Sequence, residues 1–278
     1  MTAASLPTIF VPHGAGPCFF MDWNPPGTWD RMGAWLRGFV KVAGAKPRAI
    51  LIVTGHWEAD AFTANARGSP GMLYDYTGFP EHTYRLNWPA PGSPKLAARV
   101  RKLLAEAGLP AAEDRDRGFD HGVFIPMMLA FPDADVPVVQ LSLRTGLDPA
   151  EHIAAGSALA PLRRDGVLII GSGMSYHNMG KLMRNLRSGA TDIEPDSEKF
   201  DAWLAETVAL PRAEREGRLA RWSKAPGGLA SHPREEHLLP LHVVAGAAAD
   251  DPGERVFQDR VLGSVQSAFR FGEASWMQ

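Results

Sequence analysis

Four short apolar runs, rich in Ile, Val and Leu, constrain the fold of this chain more than any other feature. They are Thr8–Val11, Ala49–Val53, Val136–Leu141 and Val167–Ile170. A run this short, without a polar face and bounded by Gly, Pro or charge, is typical of a strand buried on both sides of a sheet. Helical patterns lie between the runs. The alternation predicts an α/β fold with helices flanking a central sheet that is largely parallel or mixed.

Proline at the start of three segments suits the first turn of a helix and predicts helices over Pro94–Ala107, Pro149–Leu162 and Pro233–Ala249. The polar stretch Arg184–Glu198 is expected to be a surface loop or a soft boundary. The apolar-rich stretch Arg255–Gly272 is expected to close a sheet edge or a face of the core. Because no repeat and no large composition shift divides the chain, we expect a single domain over residues 1–278.

Composition excludes several classes of protein. The chain has 29 basic and 31 acidic residues, and this net charge of −2 provides no basic excess for a nucleic-acid partner. No apolar run approaches the roughly 18 residues of a membrane span, and early Pro7, Pro12 and Gly14 disfavour a signal peptide. The only cysteine, Cys18, excludes an intramolecular disulfide and a thiolate metal cluster. We therefore expect a cytoplasmic protein without nucleic-acid or membrane partners.

The placement of histidines indicates where chemistry takes place. Three of the nine histidines, His13, His56 and His177, follow predicted strands. The carboxyl ends of parallel strands meet at one edge of a sheet, where open α/β folds bind their ligands. One histidine after a strand is usually a loop residue, but three in equivalent positions favour a shared site. Imidazole is the commonest metal ligand, and several imidazoles without cysteine suit Zn, Fe or Mn.

Two further histidines are candidates because each is expected to begin a helix. His121 opens one predicted helix. His232 precedes Pro233, where another helix is expected to start, and the loop-to-helix corner there makes His232 the natural further contributor to a metal site.

The neighbours of His232 are interpreted more cautiously. His237 and His242 are five residues apart, which is not the i, i+4 spacing of a zincin helix. His237 is therefore expected to pack in the core, although it could face the site. Glu235 and Glu236 are expected to supply negative charge at a helix N-terminus, with ligation of a metal by one of them as the alternative.

Seven ordered motifs, spread over most of the chain, carry a family resemblance. They are Val11–Gly14, Thr54–Glu58, Tyr84 with Trp88–Pro94, Arg117–Gly122, Pro137–Ser142, Gly171–Asn178 and Ser231–Pro240. Together they resemble the motifs of the class III (LigB-type) extradiol ring-cleavage dioxygenases, most closely those of the 4,5-DOPA dioxygenase extradiol branch.

The resemblance implies a single catalytic domain with a non-haem metal at the C-terminal ends of the strands. It implies His13 and His56 as metal ligands, with His177 and His232 at the metal as well. His177 is expected either to bind the metal or to act as an acid/base, and His121 to contact substrate and oxygen. The wider family completes a triad of two histidines and one carboxylate, so the third ligand here is His232 or a nearby glutamate.

The implied function is opening of the ring of a catechol-type, DOPA-like substrate with O₂. The implied cofactor is one divalent metal per chain, with Fe(II) expected for activity. Zn(II) is expected in the recovered protein, because it lies higher than iron in the affinity order. The expected partners are a small aromatic diol and O₂, and the expected assembly is a monomer or small homo-oligomer.

Two other functions are compatible with the same residues. In a zinc-dependent hydrolase, zinc on three histidines would activate water. The other is a non-catalytic binding protein on the same fold, against which the retention of five candidate histidines argues.

Overall fold

In the part of the chain that the structure describes, a mixed sheet of eight strands forms the centre of the protein. The computed structural model describes residues 5–189 and 192–273. The strands are β1 (Thr8–Pro12), β2 (Ala49–Ala59), β3 (Phe62–Asn65), β4 (Ala111–Asp114), β5 (Val138–Arg144), β6 (Val167–Gly173), β7 (Gly253–Val261) and β8 (Ser264–Phe271). Their order across the sheet is β4-β3-β5-β2-β6-β1-β8-β7. The four central strands β5, β2, β6 and β1 are parallel. The predicted α/β fold with a mixed sheet is confirmed.

Helices cover the sheet. Those in the described residues are α1 (Asp30–Arg37), α2 (Phe39–Ala43), α3 (Pro94–Glu106), α4 (His121–Ala130), α5 (Pro149–Leu159), α6 (Met179–Ser188), α7 (Pro195–Val208), α8 (Arg212–Leu219), α9 (Gly228–Ser231) and α10 (Leu239–Ala247). No helix in those residues has the length and apolar character to cross a bilayer.

Alternation along β2 shows how the core is divided between the two faces of the sheet. Leu51 and Val53 pack with side chains of α3, α5, α7 and α10 on one face. Ile50 and Ile52 pack with side chains of α2 and α4 on the other face. Because successive residues of a strand point to opposite faces, a strand covered on both sides must be apolar throughout. This is why the four buried runs could be recognised from the sequence.

All four predicted strands form, and the stretch expected to close a sheet edge forms the β7–β8 hairpin, with β8 pairing to β1. The prediction for 184–198 was wrong, because α6 and α7 occupy most of it. Gly189 has the left-handed backbone that ends α6, with φ of 67°, and Pro195 lies at the start of α7. These residues, interpreted as loop signals, mark a helix stop and a helix start.

The last predicted helix starts later than expected. Residues 233–235 are irregular, residues 236–238 form a turn, and α10 begins at Leu239 with Pro240 in its first turn. The amide of Leu239 donates a hydrogen bond to the Glu235 carbonyl at 3.0 Å. The proline that marks this helix start is therefore Pro240 and not Pro233.

Candidate active site

Three imidazoles converge at the carboxyl edge of the central strands. The Nε2 atom of His56 lies 3.1 Å from Nε2 of His13 and 3.2 Å from Nε2 of His237. Nitrogens that share one cation at about 2.1 Å lie about 3.0 to 3.4 Å from one another. The spacing of these three atoms therefore fits ligation of a single metal ion.

Each of the three histidines is delivered by a different local structure. His13 directly follows β1, and its amide donates to the Gly173 carbonyl at 3.1 Å. His56 lies within β2, where the register with β5 is interrupted between Val53 and Glu58. This irregularity breaks the strict alternation of the strand and re-aims side chains, as bulges beside active sites do.

His237 reaches the cluster because glycine lets the turn before α10 approach β6 closely. A Cβ on Gly173 would lie 2.1 Å from the His237 carbonyl oxygen, and one on Gly171 would lie 2.3 Å from that of Pro240. Any side chain at these two positions would push the turn away from the sheet.

Hydrogen bonds to the other ring nitrogen orient the imidazole of His13. Its Nδ1 lies 3.1 Å from Ser172 Oγ, whose hydroxyl donates to the Gly122 carbonyl. Since that hydroxyl proton is already committed, the serine oxygen accepts from Nδ1–H. The lone pair of His13 is then left on Nε2, the atom that faces the cluster.

Carboxylates lie beside the second nitrogen of the other two imidazoles, at hydrogen-bond distance for His237 and at ion-pair distance for His56. Nδ1 of His237 lies 2.9 Å from Glu236 Oε1. Nδ1 of His56 lies 3.6 Å from Asp75 Oδ2. Pairing of a ligating histidine with a carboxylate through its second nitrogen is a common arrangement at metal sites.

The three converging imidazoles are held neutral. Burial is the main cause, and neighbouring histidines add to it: the pKa of His56 is lowered to about 3. The pKa values of His13 and His237 are also lowered well below the usual value, for the same reasons in the same order. Neutral imidazoles with inward lone pairs are the donor set that a divalent transition metal requires.

His121, the first residue of α4, lies beside this cluster. Its ring centroid is 3.9 Å from that of His56. Both its Nδ1 and its backbone amide donate to Asp75 Oδ1, at 2.8 and 2.9 Å. Burial would raise the pKa of Asp75, but the hydrogen bond from His121 and the nearby imidazoles hold it below its usual value. Asp75 thus stays ionised and fixes the orientation of His121.

His177 stacks on His237, with ring centroids 3.4 Å apart. Its Nδ1 lies 3.1 Å from Glu236 Oε1, the same oxygen that accepts from His237. His177 thus forms a group with Glu236 and His237 rather than with His13 and His56. Its predicted dual role, ligand or acid/base, stays a prediction.

The structure does not bring His232 to the cluster, contrary to expectation. The ring is fully buried and packs against Phe200 and Trp222. Its Nε2 donates to the Ser175 carbonyl at 3.0 Å. The histidine that joins His13 and His56 is His237.

The cause of this error is the start of α10. Because the helix begins at Leu239 instead of Pro233, the residue at the loop-to-helix corner is His237. The helical spacing used to set His237 aside does not apply to a residue that lies in a turn. Pro240 was the available signal, since proline favours the first turn of a helix.

Two carboxylates complete the site. Glu236, expected to be helix charge or a metal ligand, accepts a hydrogen bond from His237, and the same oxygen lies 3.1 Å from Nδ1 of His177. Asp75 was not identified from the sequence. It lies in an irregular segment where no periodicity marks it.

The five histidines of this site line a cavity of about 470 Å³. The remaining walls come from the segment after β1, the segment around Tyr76, α6 and the β7–β8 turn.

Comparison with known proteins assigns this chain to a family. Residues 29–270 match the model of the catalytic LigB subunit of aromatic ring-opening dioxygenase. The chain belongs to the LigB family. This membership confirms the resemblance seen in the motifs and the expected enzyme class, an extradiol ring-cleavage dioxygenase.

Relatives of this LigB chain align over most of its length. The 4,5-DOPA dioxygenase extradiol of Beta vulgaris is 38% identical over 262 residues, which cover 94% of this chain and 93% of the relative. The protein of the same name from Escherichia coli K12 is 32% identical over 89% of this chain and 87% of its own. The crystal structure of an uncharacterized Escherichia coli K12 protein is 28% identical, with a TM-score of 0.78, and the match covers 96% of this chain and 100% of that one.

Proposed function

We propose that the protein is a metal-dependent extradiol dioxygenase that opens the ring of a catechol-type substrate with O₂, as one catalytic domain. The observation that carries this proposal is the convergence of three imidazoles, with Nε2 of His56 at 3.1 and 3.2 Å from Nε2 of His13 and of His237 and all three ligand atoms within 4.8 Å of one another. We assign one divalent cation per chain to His13, His56 and His237, with Fe(II) for turnover. Zn(II) suits the same nitrogens.

The bound cation would lower the pKa of a catechol hydroxyl and hold the catechol beside O₂. His121 is suited to take the proton that the hydroxyl releases. Its Nδ1–H is held by Asp75, so Nε2 is the basic nitrogen, and His121 lines the cavity. An imidazole fixed in one tautomer offers a single nitrogen as a general base.

His177 is suited to return a proton as the ring opens. Glu236 holds its Nδ1 at 3.1 Å, which leaves Nε2 for the substrate, and the ring lines the cavity. The reaction balances without an external reductant. A carbon–carbon bond next to the diol breaks, both oxygen atoms enter the product, and the cleaved carbons become a carboxylate and a carbonyl.

The test is oxygen uptake by protein purified without air and loaded with either Fe(II) or Zn(II). With Fe(II) we expect one O₂ consumed per catechol and a yellow ring-fission product, and with Zn(II) neither. Absence of uptake by the Fe(II) protein on unsubstituted catechol, alkylcatechols and DOPA would contradict the proposal. Hydrolysis of ester or amide probes by the Zn(II) protein would then favour a zinc hydrolase.

A further inference from the structure

Apart from the imidazoles, the cavity wall is largely apolar, and we call the part formed by α6 and the β7–β8 turn its apolar end. Helix α6 contributes Met179, Leu182, Met183 and Leu186, which recur at the spacing of one helical face. Further apolar side chains of the wall pack together in one cluster: Trp23, Trp29, Met174, Val261 and Leu262.

Two of these side chains stand open to solvent at the cavity. Met179 is 47% and Met183 39% exposed, although both are large and apolar. Methionine is flexible and polarisable and is frequently used where a surface must adapt to an apolar ligand.

Among the described residues, the cavity wall contains no Lys, Arg, Asp or Glu. Two of the polar side chains at the apolar end, Ser264 and Gln266, already use their donors inside the protein. The Ser264 hydroxyl donates to the Val261 carbonyl at 2.8 Å. The Gln266 amide donates to the Tyr176 carbonyl and to Ser264 Oγ, at 2.9 and 3.0 Å.

On α6, Lys181 and Arg184 both bind Glu194, each at 3.0 Å. The carboxylates of Asp75 and Glu236 lie beside the imidazoles of His121 and His177, and Glu236 also lies 3.5 Å from Arg234. A carboxylate on a substrate would therefore meet no cationic side chain among the described residues of the cavity wall.

We propose that the cavity selects catechols whose substituent is uncharged and apolar, an alkyl or aryl group, and disfavours catechols that carry an amino acid or a carboxylate. This inference rests on the proposed function, since it places the diol at the imidazoles and the substituent against α6 and the β7–β8 turn. A charge buried without a partner is strongly disfavoured, and an apolar group there removes apolar surface from water. The volume of about 470 Å³ leaves room for a substituent beyond the ring.

The test compares two catechols of nearly equal size that differ in charge, 4-propylcatechol and 3-(3,4-dihydroxyphenyl)propionate, with L-DOPA as a third substrate. Oxygen uptake by the Fe(II) protein gives kcat/KM for each. We expect 4-propylcatechol to exceed both charged substrates by about 100-fold. Equal or higher values for L-DOPA or the propionate would overturn the inference.

Measuring ligand affinity tests this inference independently of the proposed function. Trp23 and Trp29 line the cavity, so ligands can be titrated by quenching of tryptophan fluorescence under anaerobic conditions. Tighter binding of 4-propylcatechol with no turnover of any catechol would support the substituent preference while contradicting the dioxygenase function. Equal affinities for the two matched ligands would overturn the preference whether or not turnover occurs.

A matched pair of lysine variants tests where in the cavity the substituent of the catechol binds. Met183→Lys places a cation at the apolar end, and we expect it to raise kcat/KM for the propionate, relative to 4-propylcatechol, about tenfold or more. Leu229→Lys is the control, because Leu229 is also large, apolar and exposed, at 60%, but lies outside the cavity. An unchanged ratio in Met183→Lys, or the same change in both variants, would overturn the assignment of the substituent to this end.

Discussion

The two ends of the cavity are built in contrasting ways. At the imidazole end, His13 and His237 are 1% and 4% exposed, and hydrogen bonds fix the second nitrogen of each ring. At the other end, Met179 and Met183 are 47% and 39% exposed and have no directional partners. The first end is carried largely by the central sheet and the second by α6 and the edge hairpin. The protein thus separates a rigid region suited to chemistry from an adaptable region suited to selection.

The largest difference in bound metal is expected between variants of His237 and His232, the two histidines whose roles the sequence does not easily distinguish. His237→Ala removes one of three converging nitrogens, so we expect both bound metal and oxygen uptake to fall to background. His232→Ala removes a buried ring that bonds only to a backbone carbonyl, so we expect lower thermal stability but one metal per folded chain. Elemental analysis of the folded fraction measures both. Loss of metal from the His232 variant alone would refute the assignment of the cluster.

Substitution of the carboxylates that lie beside the Nδ1 atoms of the imidazoles should have intermediate effects. Glu236→Gln and Asp75→Asn keep the size of each side chain but weaken the acceptor for an imidazole N–H. We expect metal affinity or kcat/KM to fall about 10- to 100-fold, as is usual for groups that orient metal ligands. Metal titration and steady-state kinetics at saturating metal separate the two effects. Glu235→Gln is the matched control, and an equal loss there would show that the charge acts without specific contact.

The close contact between Gly173 on β6 and the backbone of His237 allows a third test. Gly173→Ala places a methyl group 2.1 Å from the His237 carbonyl, so either the turn or β6 must move. We expect a loss of about 1 to 3 kcal/mol in the free energy of unfolding, together with weaker metal binding. Chemical denaturation with and without metal measures both changes. Gly108→Ala is the control: the left-handed backbone there, with φ of 75°, makes alanine destabilising too, but the space around it is open, so metal binding should stay unchanged. Equal weakening of metal binding in both variants would contradict the packing argument.

The smallest effect is expected at the adaptable end. Met179→Ala removes part of an exposed apolar wall, so KM for 4-propylcatechol should rise only a few-fold. KM for unsubstituted catechol, which carries no substituent to contact this wall, should stay unchanged. A comparable rise for both substrates would show that Met179 acts on the ring itself and would remove the distinction between the two ends.

Much of the fold could be predicted from the sequence because the central strands are buried on both faces of the sheet. The runs at Thr8, Ala49 and Val167 are apolar throughout, and each formed a central strand. The same logic placed His13 and His56 at one edge, where they now lie 3.1 Å apart.

The roles of His237 and Asp75 could not be predicted, because no periodic pattern in the sequence marks the segments that hold them. The position of His237 is set by a helix start six residues later than predicted, at Leu239 rather than Pro233, and by glycines on a strand distant in sequence. Asp75 lies in an irregular segment, and its role is visible only through its hydrogen bonds to His121. Long-range contacts of this kind are fixed by tertiary packing and not by local propensity.

The imidazole cluster joins residues separated by 43 and by 181 positions along the chain. A nascent polypeptide consequently cannot assemble all three nitrogens until His237 has left the ribosome. Chains truncated before His237 would lack the third nitrogen and should bind a divalent cation more weakly.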